Sequence, residues 1–406
     1  MTATARAADV ARSSRREARR ELVAIVSPRV LIFLAVFVVL IILFHVLSNG
    51  LFLTPRNLSL LLRQGAILGV VATGVGVLMI MSEIDLSIGS SVFLCGVVAA
   101  SLATGGTPLG VAILATLVTG MVLGALQGVA VVVLGIPSFI ATLAGLLAFR
   151  GLGLLLTNAA TVGPVPDNFS AVSEGFIPRV PSIVAIIVIA VVAAAGVLLG
   201  NRNRMRRLRA DSESDAKTSR GAAPSIRASA QLAAVIIPLG VLAWIVGGFL
   251  GTPTALIWVA VIAVALTVLT TRTIYGRNAY LLGANREAAY YSGIRVRRNV
   301  FFGFVIMGAL YGVAAILLTA RLGSSTPGAG QDLELQAIAA AVIGGISLRG
   351  GIGGIGGAVI GALLLTLINN GMSLLNVSSF SQAVILGLIL VLALGLDSYV
   401  LRRAAR

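Results

Sequence analysis

Long apolar runs alternate with short polar segments along the whole chain. A run of about 20 apolar residues predicts a membrane-spanning helix, because lipid offers no partner for an exposed backbone N–H or C=O group. A polar break from Glu83 to Ser87 separates two of these runs, and the run 335–348 is short, so half-helices would lower the number of full spans from twelve to about ten. The twelve apolar runs are 30–48, 62–82, 87–104, 108–134, 137–157, 182–200, 231–250, 254–271, 300–320, 335–348, 352–371 and 379–396. The predicted fold class is an all-α polytopic membrane protein.

The basic residues predict the orientation of these spans. Four segments, 1–29, 201–229, 272–299 and 397–406, hold 24 of the 30 lysines and arginines. Six, two and four apolar runs separate these segments in turn, so all four can lie on one side of the membrane. Loops rich in lysine and arginine stay in the cytoplasm, so we expect both termini to be cytoplasmic.

The same segments divide the chain into predicted parts. A basic N-terminal segment, 1–29, precedes a first membrane half of about six spans, 30–200. A charged cytoplasmic linker, 201–229, leads to a second half of about six spans, 230–396, which contains the cytoplasmic segment 272–299. A cytoplasmic tail, 397–406, ends the chain.

Composition excludes several classes of protein. Charged residues make up only 11% and the mean hydropathy is +1.04, whereas soluble domains carry about 25% charged residues. The net charge of +16 is explained by cytoplasmic loops, and no aromatic-rich basic domain suggests nucleic-acid binding. The only lysine, Lys217, follows alanine rather than glycine, so the chain has no P-loop for ATP. With one histidine, His45, and one cysteine, Cys95, we predict no metal site, cofactor or catalytic site.

Charged side chains at membrane depth are costly and usually have a function. Glu83 and Asp85 lie in the break SEIDLSIGS, beside the hydroxyl of Ser87, and Glu334 is a weaker case at an interface. One interpretation is a polar pathway that exchanges hydrogen bonds with a solute. The alternative is an internal network in which Asp85 caps a helix or pairs with an arginine.

The cytoplasmic segment YGRNAYLLGANREAAYYSGIRVRR is too polar to span a membrane. Its small residues predict a short helix around 287–291, bounded by Gly283 and Gly293, with Asn285 as its N-cap. Such a helix suits docking into a groove on a partner. The alternative is an ordinary interfacial helix whose tyrosines lie at the lipid headgroups.

The glycine-rich stretch GGIGGIGG matches a dinucleotide-binding pattern, but its flanks are as apolar as a membrane span. Gly353, Gly357 and Gly361 are spaced four residues apart, which favours close packing of two membrane helices instead.

Four stretches, in order, carry a family resemblance. FLTPRNLSLLLRQGAILGVVATGVGVLMIMSEIDLSIGS, IPSFIATLAGLLAFRG, YGRNAYLLGANREAAYYSGI and ELQAIAAAVIGGISLRGGIGGIGGAVIGA resemble permeases of monosaccharide ABC importers of the ribose, xylose and galactose type. The resemblance covers about 52–396 and is strongest to the xylose-type members. Ile346 departs from the threonine that is common in the family, and we attach no consequence to it.

The resemblance implies a type II ABC importer-like permease in the bacterial cytoplasmic membrane that translocates a monosaccharide, such as the pentose xylose. It implies a homodimer in membrane lipid, with a separate cytoplasmic ATPase and a separate extracytoplasmic sugar-binding protein, so the chain is a transport subunit and not an enzyme. The predicted pathway residues are Glu83, Asp85, Ser87, Phe139, Thr142 and Glu334. The implied residues of the ATPase-coupling helix are Gly283, Asn285, Ala288, Ala289 and Gly293.

A second class of function stays open at this stage. An ion-coupled secondary transporter would use Glu83, Asp85 and Glu334 to relay protons through the membrane. It would need no ATPase, and transport by this chain alone would identify it.

Overall fold

The computed structural model describes residues 28–212, 224–389 and 391. Nearly all of the predicted N-terminal segment 1–29 and all of the predicted tail 397–406 lie outside the described residues, as does part of the predicted linker, 213–223.

The described residues are mostly helical. The helices that precede the linker are α1 (Pro28–Leu47), α2 (Pro55–Ile80), α3 (Ile88–Thr104), α4 (Leu109–Val132), α5 (Ser138–Thr157), α6 (Asp167–Glu174) and α7 (Arg179–Ser212). Those that follow it are α8 (Pro224–Gly248), α9 (Thr254–Arg272), α10 (Ile274–Ala284), α11 (Arg286–Tyr291), α12 (Val296–Leu322), α13 (Leu333–Ile343), α14 (Ile355–Leu374) and α15 (Ser379–Ile389). Two strands of two residues each, β1 (Phe176–Ile177) and β2 (Thr252–Pro253), complete the elements.

Each of the twelve predicted apolar runs coincides with one of these helices. Among the described residues, eight helices are long and apolar enough to cross a membrane: α2, α4, α5, α7, α8, α9, α12 and α14. Four further apolar helices are shorter over their described residues, namely Ala35–Leu47, Ile88–Thr104, Leu333–Ile343 and Ser379–Ile389. The predicted all-α class is confirmed, whereas the number of twelve spans stays a prediction.

The chain divides into two units, whose boundaries fall within the first turn of α2, within β1 and within β2. The first unit comprises 1–56 and 177–252, and in its described part α7 packs against α8. The second unit comprises 57–176 and 253–406 and contains the predicted pathway and coupling residues.

The core of the second unit depends on close contact between helix backbones. Helix α4 presents Gly120 and Gly124 to Gly308 of α12, and a Cβ atom at Gly124 would lie only 2.8 Å from the Cα of Gly308. Between membrane helices there is little hydrophobic driving force, so small residues stabilise the pair by letting the backbones approach.

The glycine-rich stretch supports helix packing, as predicted, at two of its three positions. Gly357 and Gly361 lie in α14 against α13, and a Cβ atom at Gly361 would lie 3.0 Å from the backbone nitrogen of Gly344. The expectation for Gly353 was wrong, because this residue precedes α14 and adopts a φ of +122° in the turn that leads into the helix.

Candidate functional site: the helix break and the segment that contacts it

The polar break predicted between two apolar runs is present. Helix α2 ends at Ile80, α3 begins at Ile88, and the residues between them form no helix. Ser82 turns the chain with a φ of +63°. A non-helical segment among apolar helices must find partners for its backbone groups within the protein.

Asp85 organises the centre of the break. Its side chain is almost fully buried, and Oδ1 accepts hydrogen bonds from the backbone nitrogen and the hydroxyl of Ser87, both at 2.8 Å. Its other oxygen, Oδ2, accepts a hydrogen bond from the hydroxyl of Tyr311 on α12. These bonds match the internal network that was the alternative to a solute pathway.

The first turn of α5 supports the break from the other side. The backbone nitrogen of Ile84 donates to the hydroxyl of Ser138 at 3.2 Å, and that of Leu86 donates to the hydroxyl of Thr142 at 3.0 Å. Thr142 is fully buried. Phe139, which was also predicted as a pathway residue, is 51% exposed and takes no part in these hydrogen bonds.

Glu334, in the first turn of α13, contacts the start of α3. Its Oε2 accepts a hydrogen bond from the backbone nitrogen of Gly89 at 3.2 Å, where a carboxylate is favoured by the helix dipole. Arg150 of α5 donates to the carbonyl oxygens of Pro327 and Ala329, at 2.9 and 3.0 Å, in the loop before α13. The structure therefore brings Asp85, Thr142 and Glu334 to one broken-helix region, with partners inside the chain.

Glu83 connects the break to the predicted coupling segment. Its carboxylate is buried, with 3% of the residue exposed, and it forms an ion pair of 2.7 Å with Arg286, the first residue of α11. A carboxylate in an apolar surrounding needs such a partner to stay charged. Nearby, the hydroxyl of Ser82 donates to the carbonyl of Arg349 at 2.8 Å, and the nitrogen of Gly351 donates to the carbonyl of Ile80 at 2.9 Å.

The coupling segment folds largely as predicted. Asn285 caps α11, its side chain accepting a hydrogen bond of 2.9 Å from the nitrogen of Ala288, and Gly293 follows the helix with a φ of +80°. The expectation that Gly283 belongs to this short helix was wrong. Gly283 lies in α10, where a Cβ atom would lie 2.6 Å from the nitrogen of Gly351, so its small size permits close packing of α10.

The two central alanines of α11 differ in exposure, which the sequence did not predict. Ala288 is exposed, whereas only 4% of Ala289 is exposed because it packs into the core of the second unit. The expectation that a partner approaches Ala289 is therefore wrong, whereas the approach of a partner to Ala288 stays a prediction. The flanking Tyr290 and Tyr291 are 68% and 78% exposed.

Helix α10 is also held to the loop that precedes α14. The hydroxyl of Tyr280 donates to the carbonyl of Gly353 at 2.8 Å. Desolvation by burial raises the pKa of Tyr280, which keeps its hydroxyl protonated as a donor.

At the opposite end of α2, Arg63 forms an ion pair with Glu174 of α6. The Arg63 guanidinium also lies over the ring of Phe176, with its carbon 5.3 Å from the ring centroid. Helix α2 therefore contacts the short helix α6 near its start, and the break that follows its end contacts α11 through Glu83.

Sequence reasoning missed three partners in this site: Tyr311, Ser138 and Arg286. They are separated from the groups they bind by 226, 54 and 203 residues, so no local pattern could indicate the pairing. Arg286 carried one available signal, since it is an arginine next to a predicted helix cap, and a buried glutamate elsewhere needs a cation.

A helix interrupted by a buried polar segment among long apolar helices is typical of membrane transporters, and this is the class of protein that the fold and the site define. Residues 57–394 match the family described as branched-chain amino acid transport system / permease component. The match covers most of the chain, and the chain belongs to this family of permeases.

Individual relatives agree with the family. The chain is 39% identical over 377 residues to the xylose transport system permease protein XylH of Escherichia coli (strain K12), which covers 93% of each chain. It is 32% identical over 365 residues to the ribose import permease protein RbsC of Bacillus subtilis (strain 168), covering 90% of this chain and 91% of the relative. It is 30% identical over 363 residues to the D-allose transport system permease protein AlsC of E. coli (strain K12), covering 89% of each.

No solved structure matches the chain. The resemblance to permeases of monosaccharide importers, stated from four sequence stretches, is confirmed by these relatives. The chain is a multi-pass protein of the bacterial inner membrane.

The substitution Thr142→Val tests whether the break depends on α5. Valine keeps the shape but removes the acceptor of the Leu86 N–H, and a buried N–H without a partner costs about 1–3 kcal/mol. We expect a lower thermal denaturation midpoint of the detergent-solubilised protein. Thr267→Val is the matched control, because the exposed Thr267 hydroxyl donates only to Ala263 in its own helix. Equal midpoints for the two variants would contradict this role of Thr142.

Proposed function

We propose that the chain is the membrane-spanning permease of an ATP-driven importer for a monosaccharide, with the pentose D-xylose as its substrate. The single observation that carries this proposal is the 39% identity to a xylose permease across 93% of both chains. Ribose and D-allose permeases are less similar, at 32% and 30% identity, which favours xylose among the three sugars.

The proposed assembly contains two copies of this permease in the lipid bilayer, a cytoplasmic ATPase and an extracytoplasmic sugar-binding protein. The chain has no P-loop, so hydrolysis of ATP belongs to another subunit. Helix α11 supplies the ATPase contact, because it is short, capped and exposed at Ala288, Tyr290 and Tyr291. An exposed helix of this kind suits a groove on a partner.

The ion pair between Glu83 and Arg286 supplies a mechanical route in this proposal. When ATP closes the ATPase dimer, displacement of α11 pulls on the end of α2 through this pair. The hydrogen bond from Ser82 to Arg349 passes the same displacement to the loop before α14. A rigid shift of these helices then changes the side from which the pathway is open.

For the predicted pathway set, the hydrogen bonds support a different role. Asp85 accepts hydrogen bonds from Ser87 and Tyr311. Thr142 accepts one from the backbone of the break, and Glu334 accepts one from the first turn of α3. We propose that these residues hold the break in shape and do not contact the sugar. A pathway residue would lower uptake without lowering thermal stability, so the Thr142→Val comparison also tests this point.

The alternative of proton-coupled transport has less support. Glu83 is ion-paired with Arg286 and Asp85 accepts three hydrogen bonds, so both carboxylates are engaged by partners within the chain.

Reconstitution distinguishes the two mechanisms. We expect uptake of radiolabelled D-xylose into proteoliposomes only when the ATPase, ATP and the sugar-binding protein accompany the permease, because this chain has no energy source of its own. Liposomes that contain the permease alone, with an imposed proton gradient, are the control. Uptake in that control would overturn the importer proposal and favour the secondary transporter.

We further propose twelve spans with both termini in the cytoplasm, on the basis of the four basic segments. In a Cys95→Ala background, Arg277→Cys and Thr161→Cys place single thiols at exposed positions in the proposed cytoplasmic and extracytoplasmic segments. An impermeant thiol reagent applied to intact cells should label only Thr161→Cys, since lipid blocks its access to the other. Labelling of Arg277→Cys from outside would reverse the orientation and the span count with it.

The contact with the ATPase is tested at Ala288. A tryptophan there leaves the core intact but overpacks a close contact by about 1–3 kcal/mol, enough to weaken association or coupling by about fivefold to 150-fold. We expect Ala288→Trp to keep normal membrane abundance and sugar-binding-protein docking but to lose stimulation of ATP hydrolysis by the sugar-loaded binding protein.

The matched control for Ala288→Trp is Ala265→Trp, at an exposed alanine of α9 away from α11. It should retain full stimulation. A tryptophan at Ala289 is less informative, because that buried position would confuse misfolding with loss of coupling. Full stimulation of Ala288→Trp would exclude α11 as the ATPase contact.

A further inference from the structure

The start of α12 concentrates positive charge that the chain does not neutralise. Arg295, Arg297 and Arg298 lie within four residues, and all three are exposed. The first turn of the helix contains no acidic residue. No carboxylate of the described residues forms an ion pair with any of the three arginines. Like charges this close repel one another, so an anion from outside the chain would stabilise them.

These arginines line an open cleft of about 1,030 Å³ between α11 and the start of α12. Arg286 also lines the cleft, but it is already paired with Glu83 of the break. The one carboxylate in the lining is that of Glu287. Three unpaired arginines and one glutamate leave a net charge of +2, so the cleft suits an anionic partner.

Arg298 lies on the side of α12 that does not pack into the helix bundle. Its guanidinium carbon lies 5.6 Å from the ring centroid of Phe302, one turn further along, and Phe302 is 43% exposed. Val305 and Ala309 continue this face as partly exposed apolar residues, whereas Met307 on the opposite side is fully buried. Helix α12 is long and apolar enough to cross a membrane, so the exposed apolar face is suited to contact with acyl chains.

Arg295 belongs to the same face. It is the N-cap of α12 and lies three positions before Arg298 and seven before Phe302, a spacing that places residues on one side of a helix. Two cations therefore stand directly beyond the end of an apolar stripe. A guanidinium binds phosphate oxygens through parallel hydrogen bonds, and stacking on an aromatic ring helps to orient it.

We propose that Arg295 and Arg298 bind the phosphate group of an anionic phospholipid, whose acyl chains lie along the apolar face that begins at Phe302. The opposite side of the cleft, with Tyr290 and Tyr291 of α11, remains available for the proposed ATPase contact. The site requires only that the chain lies in the membrane, and it depends neither on the identity of the sugar nor on the ATPase. The competing occupant is an acidic surface of a partner protein, which would need the cations but not the apolar stripe.

The test measures which lipid lies beside Phe302 in vesicles that contain the full-length permease alone. Phe302→Trp in a Trp244→Phe, Trp258→Phe background leaves one tryptophan and keeps an aromatic ring beside Arg298. Phosphatidylglycerol or phosphatidylcholine with brominated acyl chains, at equal mole fraction, quenches that tryptophan by contact. We expect phosphatidylglycerol to associate at least about fivefold more strongly, since about 1 kcal/mol per arginine corresponds to that factor.

A native tryptophan provides the matched control for position. Trp244, kept alone through Trp258→Phe, is 53% exposed on α8 and does not line the cleft. Its quenching should not differ between the two lipids. Equal quenching by both lipids at position 302 would overturn the proposal, and this comparison needs no arginine variant that could misfold.

Arginine variants in the Phe302→Trp protein test the headgroup contact. Arg298→Gln should lower the preference for phosphatidylglycerol about fivefold, whereas Arg298→Lys keeps the charge and should keep most of the preference. Arg277→Gln, at an exposed arginine of α10 outside the cleft, removes the same charge and should leave the preference unchanged. An equal loss with Arg277→Gln would show general attraction to the membrane surface and no site at Arg298.

A partner protein gives a different result. If the arginines served an acidic surface of the ATPase, the permease alone would show no preference for phosphatidylglycerol at position 302. Arg295→Gln and Arg298→Gln would then weaken binding of the ATPase instead, and the lipid site would be wrong.

Discussion

The hydrogen-bonding requirement of a broken helix determines much of this structure. Between Ile80 and Ile88 the backbone leaves the helix in a region surrounded by apolar spans, and lipid cannot supply partners for its N–H groups. The chain supplies them itself: Asp85 binds Ser87, while Ser138 and Thr142 bind the backbone of the break from α5. These bonds place α5 and α12 against the junction of α2 and α3, so the positions of four helices depend on one short polar segment.

A single ion pair extends this arrangement to the surface segment. Glu83 is buried and would be costly to ionise alone, so Arg286 must lie beside it, and Arg286 is the first residue of α11. The end of α2 also binds the loop before α14 through Ser82 and through the carbonyl of Ile80. A movement of α11 would therefore act on the break and on the loop before α14 through direct bonds, as the proposed coupling to an ATPase requires.

Contact between helix backbones gives the second unit its rigidity. Gly124 and Gly308 let α4 and α12 approach within the distance that a Cβ atom would occupy, and Gly361 does the same for α14 and α13. Rigid pairs of this kind move as bodies, so a displacement at the break is transmitted along whole helices rather than absorbed by side-chain rearrangement.

The sequence alone determined the apolar runs, the polar break and the Asn285 cap, because each depends on local composition or on residues a few positions apart. It also determined that Glu83 and Asp85 need partners, since a charge at membrane depth is costly. Only the tertiary structure decided that Arg286 and Tyr311 are those partners, and that Ala289 is buried while Ala288 is exposed. Those results depend on which faces of the helices meet, between residues far apart in the chain. Most of these helices are apolar all round, so their sequences do not indicate which face packs against which neighbour.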